Sequence, residues 1–454
     1  MTYTTYTIGS DAVLSEQRLN QILTQFQTLD LPVLKRLKNY YDGNQDIIYK
    51  QPTDTGKANN VCVTNFCKTI CDSYTGYMLG KQVSFMGTNI EEIQEILDYN
   101  DIHEMISEYL RQGLIYGRGF LINYIDKDGK QRIQVLDSQH CIPIYDDSIE
   151  QNLLYVVRFW IDNSNGILDT QLQYKVELYG PENIKYYTAS SDFATVTLDR
   201  VEPHYFHQCP ITVFHLNRDE IGVFKPILSL QDNYNNLQSY QIDGAESWAD
   251  SYLVLTGVQA DEKSLENMKK HRCIILPGEE NCGATFLTKS ASDAQIQTSL
   301  ESIEQKIWTI SQTADFSNEQ LFGSASSGVS LRFKLMGMEC ACAGIESELR
   351  KSIQRMIELF CEILNLVNTE ETWRDVQIIF RRNLPIDMTE IINVVNGLRG
   401  VVSVETLLSQ IPFVDSPEEE MEKLKQENDI LELYDFNHED EHPDEEEVTG
   451  DEQQ

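Results

Sequence analysis

The segment from Ala291 to Val367 constrains the fold most, because apolar residues repeat at helical spacing on both sides of a small-residue loop. Before the loop they recur every third or fourth position, which marks one face of a helix with about 3.6 residues per turn. These residues are Ile296, Leu300, Ile303, Ile307 and Ile310. Ser292 and Asp293 are the candidate caps, since a short side-chain oxygen can accept an unpaired backbone N–H.

A second helix is predicted to begin near Val329. Its clearest apolar positions are Ile345, Leu349, Ile353, Met356, Ile357, Phe360, Ile363, Leu364 and Val367. Gly337 and Gly344 lie between the loop and this stripe. Each glycine inside a helix costs roughly 1 kcal/mol relative to alanine, so we expect a bend there or a close contact with another backbone.

The loop between the two helices runs from residue 315 to residue 328 and has glycines at 323 and 328. A segment of this composition can bury little apolar surface, so we expect it to be mobile. Its residues are Asp315, Phe316, Ser317, Asn318, Glu319, Gln320, Leu321, Phe322, Gly323, Ser324, Ala325, Ser326, Ser327 and Gly328.

The loop, followed by Ser327-Gly-Val-Ser-Leu-Arg-Phe-Lys-Leu-Met-Gly-Met-Glu339, resembles the tunnel loop and kinked helix of tailed-bacteriophage portal proteins. The resemblance is to portals of long-tailed phages and prophages of Gram-positive hosts, which usually have Ala at the position of Ser330. In that family a ring of subunits lines the DNA channel of the capsid, and this loop points at the DNA. Arg332 and Lys334 are then possible DNA-facing basic residues. Alternatively, both cations neutralise neighbouring acids.

A second stretch resembles the same family. It consists of Lys57-Ala-Asn-Asn60 and, further on, Thr75-Gly-Tyr-Met-Leu-Gly-Lys-Gln-Val83. The family pattern has proline where Ala58 and Gln82 stand, so we expect looser turns in this chain. Lys81 does not indicate a phosphate-binding loop, because the GxxxxGK[ST] spacing is absent.

The rest of the chain predicts a mixture of helices and antiparallel strands, and therefore the α+β class. One helix is predicted from Ile90 to Leu114, and a hairpin turns at Asp126-Lys-Asp-Gly129. Strands are predicted at Leu153–Ile161, Gln171–Leu178, Ile184–Tyr187, Thr195–Val201, Ile211–Leu216, Tyr252–Leu255, Cys273–Leu276, Ala284–Leu287 and Val376–Phe380. Short helices are predicted at Asp261–Lys270, Met388–Arg399 and Val404–Gln410.

A helix is also predicted after Pro226, with the apolar stripe Leu230, Tyr234, Leu237, Gln241, Ala245 and Trp248. Its opposite face is composed of Asn, Gln, Ser and Asp, and we expect that face to contact water.

The resemblance implies a portal-type subunit with an α/β wing, a two-helix stem, a small α/β clip, a tunnel loop with a long kinked helix, and a helical crown. The implied division is 1–30 amino-terminal arm with one short helix, 31–220 wing, 221–248 first stem helix, 249–290 clip, 291–313 second stem helix, 314–328 tunnel loop, 329–384 long helix and returning wing strand, 385–435 crown, and 436–454 acidic disordered tail.

The net charge of −36 argues against tight binding of duplex DNA, because proteins that grip nucleic acid present a basic face. The segment from Asp415 onward holds eighteen carboxylates against two lysines. An acidic sleeve would repel a duplex from its wall and leave it centred, whereas each phosphate neutralised by Lys or Arg would hold it.

Metal ions and membranes are not expected. The ten cysteines lack CxxC spacing, and we expect buried free thiols. His204, His207, Cys209 and His215 form the nearest approach to a metal cluster, but no further ligand completes a familiar set. No apolar run is long enough to span a bilayer, and the first residues do not read as a signal peptide. We therefore expect assembly in the host cytoplasm.

No catalytic motif can be distinguished among the many acidic residues of this chain, so we expect no enzyme and no cofactor. The resemblance implies a homo-oligomeric ring of about twelve subunits at one capsid vertex of the virion. The implied partners are double-stranded DNA, the terminase large subunit, a head-tail adaptor, and the major capsid and scaffolding proteins. The alternative is an acidic structural scaffold or adaptor of a viral particle without a DNA channel.

Overall fold

The computed structural model describes residues 3–426 except 11, 52–58, 88–89, 163–172, 248–251, 257–282, 288–292, 316–327, 368–372, 384–387, 410, 412–413, 415–416 and 418–419. The chain divides into two compact units, Met1–Asn383 and Leu384–Gln454. Its described elements are a mixture of helices and mostly antiparallel sheets, so the α+β prediction is confirmed.

The described helices of the first unit are α1 (Glu16–Leu29), α2 (Leu31–Asp42), α3 (Phe66–Leu79), α4 (Glu91–Tyr99), α5 (Ile102–Tyr116), α6 (Leu228–Ser247), α7 (Asp293–Ile310) and α8 (Gly328–Val367). The described strands are β1 (Tyr6–Ile8), β2 (Ser84–Met86), β3 (Arg118–Ile125), β4 (Gln131–Leu136), β5 (Cys141–Asp146), β6 (Leu153–Ile161), β7 (Gln173–Tyr179), β8 (Asn183–Ser190), β9 (Val196–Pro203), β10 (Ile211–His215), β11 (Tyr252–Thr256), β12 (Gly283–Leu287) and β13 (Gln377–Ile379).

The largest sheet has the order β1-β5-β6-β7-β8-β9, in which β1 is parallel to β5 and the other pairs are antiparallel. Its register aligns Phe159, Val176 and Tyr187 in one buried row. Phe26 of α1 contacts that row, with its ring centroid 5.8 Å from that of Phe159. The amino-terminal arm was expected to contain one short helix, but it also supplies the edge strand β1 of this sheet. Three residues are too few to show a strand period in the sequence.

The helix predicted from residue 90 to residue 114 is interrupted, because α4 ends at Tyr99 and α5 begins at Ile102. Asp101 has a φ of 49°. The Asn100 side chain donates to the carbonyl oxygen of Gln131 at 3.0 Å and accepts from the backbone N–H of Ile133 at 3.0 Å. The break thus places an amide against the edge of β4, where it takes the role of a neighbouring strand.

The long helix α8 is continuous over 40 residues and packs against β10 and β3. It begins at Gly328, one residue inside the predicted loop. A Cβ built on Gly337 or Gly344 meets no described atom within 4 Å. The close backbone contact expected at these glycines is therefore not made by the described part of the subunit.

Two of the three strands predicted between α6 and α7 are described, β11 and β12, and they pair antiparallel. Residues 261–270 and 273–276, predicted as a helix and a strand, lie outside the described residues. The second unit contains α9 (Met388–Leu398) and α10 (Val404–Ser409). Ser403 caps α10, since its Oγ accepts the backbone N–H of Thr406 at 3.3 Å. The predicted acidic tail, 436–454, lies outside the described residues.

Candidate functional site

Of the fourteen predicted loop residues, the structure describes the first and the last. Asp315 is half-buried, and Gly328 is the first residue of α8. Residues 316–327 lie outside the described part of the chain. Arg332 lies in the first turns of α8, and the Lys334 side chain is exposed. The geometry that surrounds the loop is therefore that of its two flanking segments.

The segment that enters the loop is fixed directly after α7 ends. Ser311 and Thr313 are buried, and Gln312 between them has a φ of 54°. The Tyr74 hydroxyl of α3 donates to the carbonyl oxygen of Ser311 at 2.9 Å. Burial raises the pKa of Tyr74 well above its usual value, so this phenol stays protonated and keeps donating at any physiological pH.

The segment that leaves the loop is held by the same helix. The Tyr77 hydroxyl, one turn along α3, donates to Oε2 of Glu339 on α8 at 2.7 Å. Nε of Arg382 lies 3.0 Å from both oxygens of that carboxylate. Burial opposes ionisation of Glu339, but the hydrogen bonds from Arg382 and Tyr77 outweigh it, and the pKa of Glu339 is lowered.

The helix α3 also contacts both helices that precede the loop. The Phe66 ring packs edge-on against Tyr234 of α6, with centroids 5.0 Å apart, and against Trp308 of α7, with centroids 5.5 Å apart. The two flanks of the loop and both predicted stem helices are therefore positioned by α3. Tyr77 lies within the motif at 75–83, but nothing in that sequence pattern indicates that α3 contacts the flanks of the loop.

The helix α6 buries the polar face that was expected to contact water. Gln231, Asn235 and Ser239 are each 0% exposed. Together with Asp243 they accept backbone N–H groups from every second residue of segment 59–66, which we call the strap. The bonds are Phe66 to Gln231 at 3.2 Å, Thr64 to Asn235 at 3.0 Å, Cys62 to Ser239 at 3.0 Å, and Asn60 to Asp243 at 2.6 Å.

The spacing explains why one helix can serve the strap. Two residues of an extended chain span about 6.6–6.8 Å, and four residues of a helix rise about 6 Å. Amide, hydroxyl and carboxylate oxygens at every fourth residue therefore meet alternate N–H groups of the strap. The expectation of a water-facing side was wrong, because these polar side chains satisfy backbone donors that would otherwise be buried without partners. The sequence feature that indicates a buried polar face is the presence of Gln, Asn and Ser on one side of this helix without Lys or Arg.

The other side of α6 borders a groove against α7, of about 760 Å³, which we call the stem groove. It is lined by Leu230, Asn233, Asn236, Leu237 and Tyr240 of α6 and by Thr298, Ser299, Ser302, Ile303 and Lys306 of α7. Its described lining contains no carboxylate, although the whole chain has 72 Asp and Glu residues.

Three residues of the histidine–cysteine cluster, His204, Cys209 and His215, have separate partners. Nε2 of His204 lies 2.8 Å from the carbonyl oxygen of Gly180, and burial lowers the pKa of His204. Cys209 is buried in the core beside Phe120. Nδ1 of His215 lies 3.0 Å from Oε1 of Glu220. Across the described residues, no three His, Cys, Asp or Glu side chains converge as metal ligands would.

The described cysteines are free thiols, and six of these eight are buried, as the sequence predicted. None of the helices in the described part of the chain combines the length and the apolar character that crossing a bilayer requires.

Comparisons with known proteins identify the family. The sequence family described as "Phage portal protein, SPP1 Gp6-like" matches residues 21–430. The portal protein of Bacillus phage SPP1 is 23% identical over 416 residues, which cover 87% of this chain and 80% of that protein. The portal protein of Clostridium phage phiCD119 is 23% identical over 414 residues, which cover 84% of this chain and 89% of that protein.

One chain of a solved structure, the virion of a native gene transfer agent particle, aligns over 86% of this chain and 98% of its own length. Its TM-score is 0.40 and its identity is 12%. Because the family match spans most of the sequence, this chain belongs to the SPP1 Gp6-like family of phage portal proteins, which are components of the bacteriophage virion.

Proposed function

We propose that this chain is one subunit of a ring, of about twelve copies, that forms the channel for double-stranded DNA at one capsid vertex. The observation that carries the proposal is the fixation of both flanks of loop 315–328 on α3, through Tyr74 and Tyr77. A segment that contacts a moving duplex needs ends that do not move with it. Family membership supports the same assignment.

In the proposed mechanism the ring guides the DNA duplex without binding it tightly. A duplex that slides both ways through a ring must not be held at its phosphates, and the net charge of −36 opposes such contacts. Loop residues 315–328 then contact DNA in passage, and Arg332 and Lys334 are the proposed exceptions to the acidic lining. The role is structural rather than enzymatic.

The proposed subunit has the parts of a portal: wing, two stem helices α6 and α7, clip between them, long helix α8 and a crown in 385–435. The clip would dock the terminase large subunit during packaging and a head-tail adaptor afterwards. The wing and crown would contact the major capsid and scaffolding proteins during assembly in the host cytoplasm.

The test of this proposal is to shorten the loop within residues 317–326 and, separately, to make Phe322→Ser. A loop that buries little area contributes little to the fold, at about 25 cal/mol per Å² of apolar surface. We therefore expect native mass spectrometry to show unchanged rings, while DNA packaging or retention falls.

Ile149→Ser is the matched control, because Ile149 is an apolar residue in the β5–β6 turn and is 104% exposed. It should leave both rings and packaging unchanged. Rings that dissociate in Phe322→Ser would assign the loop to the subunit interface instead of the channel. A purified chain that stays monomeric or dimeric at every salt concentration would contradict the ring itself, and would favour the acidic scaffold.

A further inference from the structure

The charge of this chain restricts where two copies of it can touch. Each copy carries −36, so most pairs of surfaces bring carboxylates together. Like-charge contact across an interface costs several kcal/mol, which is why it excludes wrong pairings. Contacts between copies are therefore favoured where carboxylates are few or where Lys and Arg face them. Two surfaces of the described first unit that are poor in carboxylates lie on different elements.

The first surface is the stem groove between α6 and α7. Leu230, Leu237 and Ile303 line it as half-buried apolar side chains. Asn, Ser and Thr side chains surround them, together with Tyr240, which is 58% exposed. An apolar centre with a polar rim, a tyrosine and few charges is the composition of a protein–protein interface.

The second surface is the outward face of α8, opposite the face that buries Leu335 and Leu349. It is uncharged and exposed from Phe333 to Ser347, which are about 21 Å apart along the helix axis. Its members at helical spacing include Phe333, Met336, Gly337, Cys340, Gly344 and Ser347. Phe333 is 73% exposed and Met336 58%. Gly337 and Gly344, which make no close contact with the described part of the subunit, lie on this face, where they would admit a second helix backbone.

We propose that the stem groove of one subunit receives the outward face of α8 from the next subunit in the ring. The inference rests on the proposed ring function and names its contact surface. Two different surfaces on one chain make a head-to-tail contact, and such contacts close into rings when the rotation between subunits divides the circle. The charged side chain in the groove is Lys306, and Glu348 flanks the face of α8, so the remaining charges have opposite signs.

Cysteine cross-linking tests the contact directly, because Cys340 is already an exposed thiol on the face of α8. Ser302→Cys places a partner on the α7 wall of the groove, and Asn236→Cys places one on the α6 wall. Mild oxidation of intact rings should give a ladder of covalent oligomers in at least one of the two variants. The ladder should vanish when Cys340→Ser is added.

Glu301→Cys is the matched control, since Glu301 is exposed on α7 but does not line the groove. It should give no ladder. Rings in which neither groove cysteine reacts with Cys340 would overturn the contact while leaving the ring function intact. Failure to form rings in the wild-type chain would contradict the proposed function instead.

A carboxylate placed in the groove gives a second measurement. Asn236→Asp keeps the side-chain shape and adds one negative charge, so the concentration needed for half-assembly should rise by about tenfold or more at low salt. Gln134→Glu, an exposed position on β4, should change it little. Equal effects of the two substitutions would show that total charge, not the groove, controls assembly, and would overturn the proposal.

Discussion

Among single residues, Glu362 on α8 has surroundings that strongly oppose ionisation. Burial raises the pKa of Glu362 to about 7, with Glu358 adding to the shift and Arg355 reducing it. Gln208 donates to Oε1, while Oε2 is buried without a described partner. A protonated carboxyl fits this site, because it removes a buried charge and supplies a donor.

The pH dependence follows from the direction of that shift. The folded chain holds a proton on Glu362 up to a pKa of about 7, whereas an unfolded glutamate releases it near 4.5. Stability from this group is therefore present below pH 4.5 and is lost as the pH rises toward 7. Glu362→Gln should become progressively more stable than wild type between pH 5 and 7.5, measured as the free energy of unfolding in urea. Glu95→Gln, at an exposed position, should show no such trend; a flat difference for Glu362→Gln would contradict the assignment.

Among elements, α6 has different partners on three of its sides. Its apolar Tyr234 contacts Phe66 of α3, its buried polar face holds the strap, and its remaining side borders the stem groove. The position of this helix is therefore fixed by directional hydrogen bonds as well as by packing. Such bonds set the rotation of the helix about its axis, which determines what the groove presents.

The hydrogen bonds to the strap predict that alanine substitution of two nearby asparagines, Asn235 and Asn233, changes the free energy of unfolding by very different amounts. Asn235→Ala removes the acceptor for Thr64 N–H and the donor to Gln45, and it leaves buried polar groups unpaired. We expect a loss of about 2–3 kcal/mol in the free energy of unfolding. Asn233→Ala, two residues away and exposed, should cost about 0.5 kcal/mol or less. Similar losses for the two variants would mean that the strap does not stabilise the subunit.

For the whole molecule, charge is the dominant property. The chain has 36 lysines and arginines but 72 carboxylates. Residues 436–454 contain nine of those carboxylates and no lysine or arginine. Few of these terminal residues are apolar, so the segment has little with which to join a core.

Deletion of 436–454 should therefore leave folding and ring assembly intact. Circular dichroism melts and native mass spectrometry of the truncated chain should match those of wild type. A longer truncation from residue 420, which removes the described helical residues 420–426, provides the comparison. Loss of soluble protein after the shorter deletion would show that the segment is structural.

The sequence by itself determined the elements whose residues repeat with a clear period. The bounds of β6 were predicted without error, those of α8 to within one residue and those of α7 to within three, and the family came from motifs at 57–83 and 314–339. The periodicity of apolar residues is a local property, so it can be recognised in the sequence without knowledge of the fold. The loop assignment at 315–328, and Arg332 and Lys334 as DNA-facing residues, stay predictions.

Only the tertiary structure decided which partners the polar groups find. Asn100 interrupts a helical period because the edge of β4 needs an amide, and Gln231, Asn235 and Ser239 are buried because the strap brings N–H groups to them. Tyr74 and Tyr77 hold the loop flanks through residues more than 200 positions away. Hydrogen bonds between distant segments form only where the tertiary fold brings those segments together. A sequence pattern can show that a residue is an acceptor, but it does not show which donor will contact it.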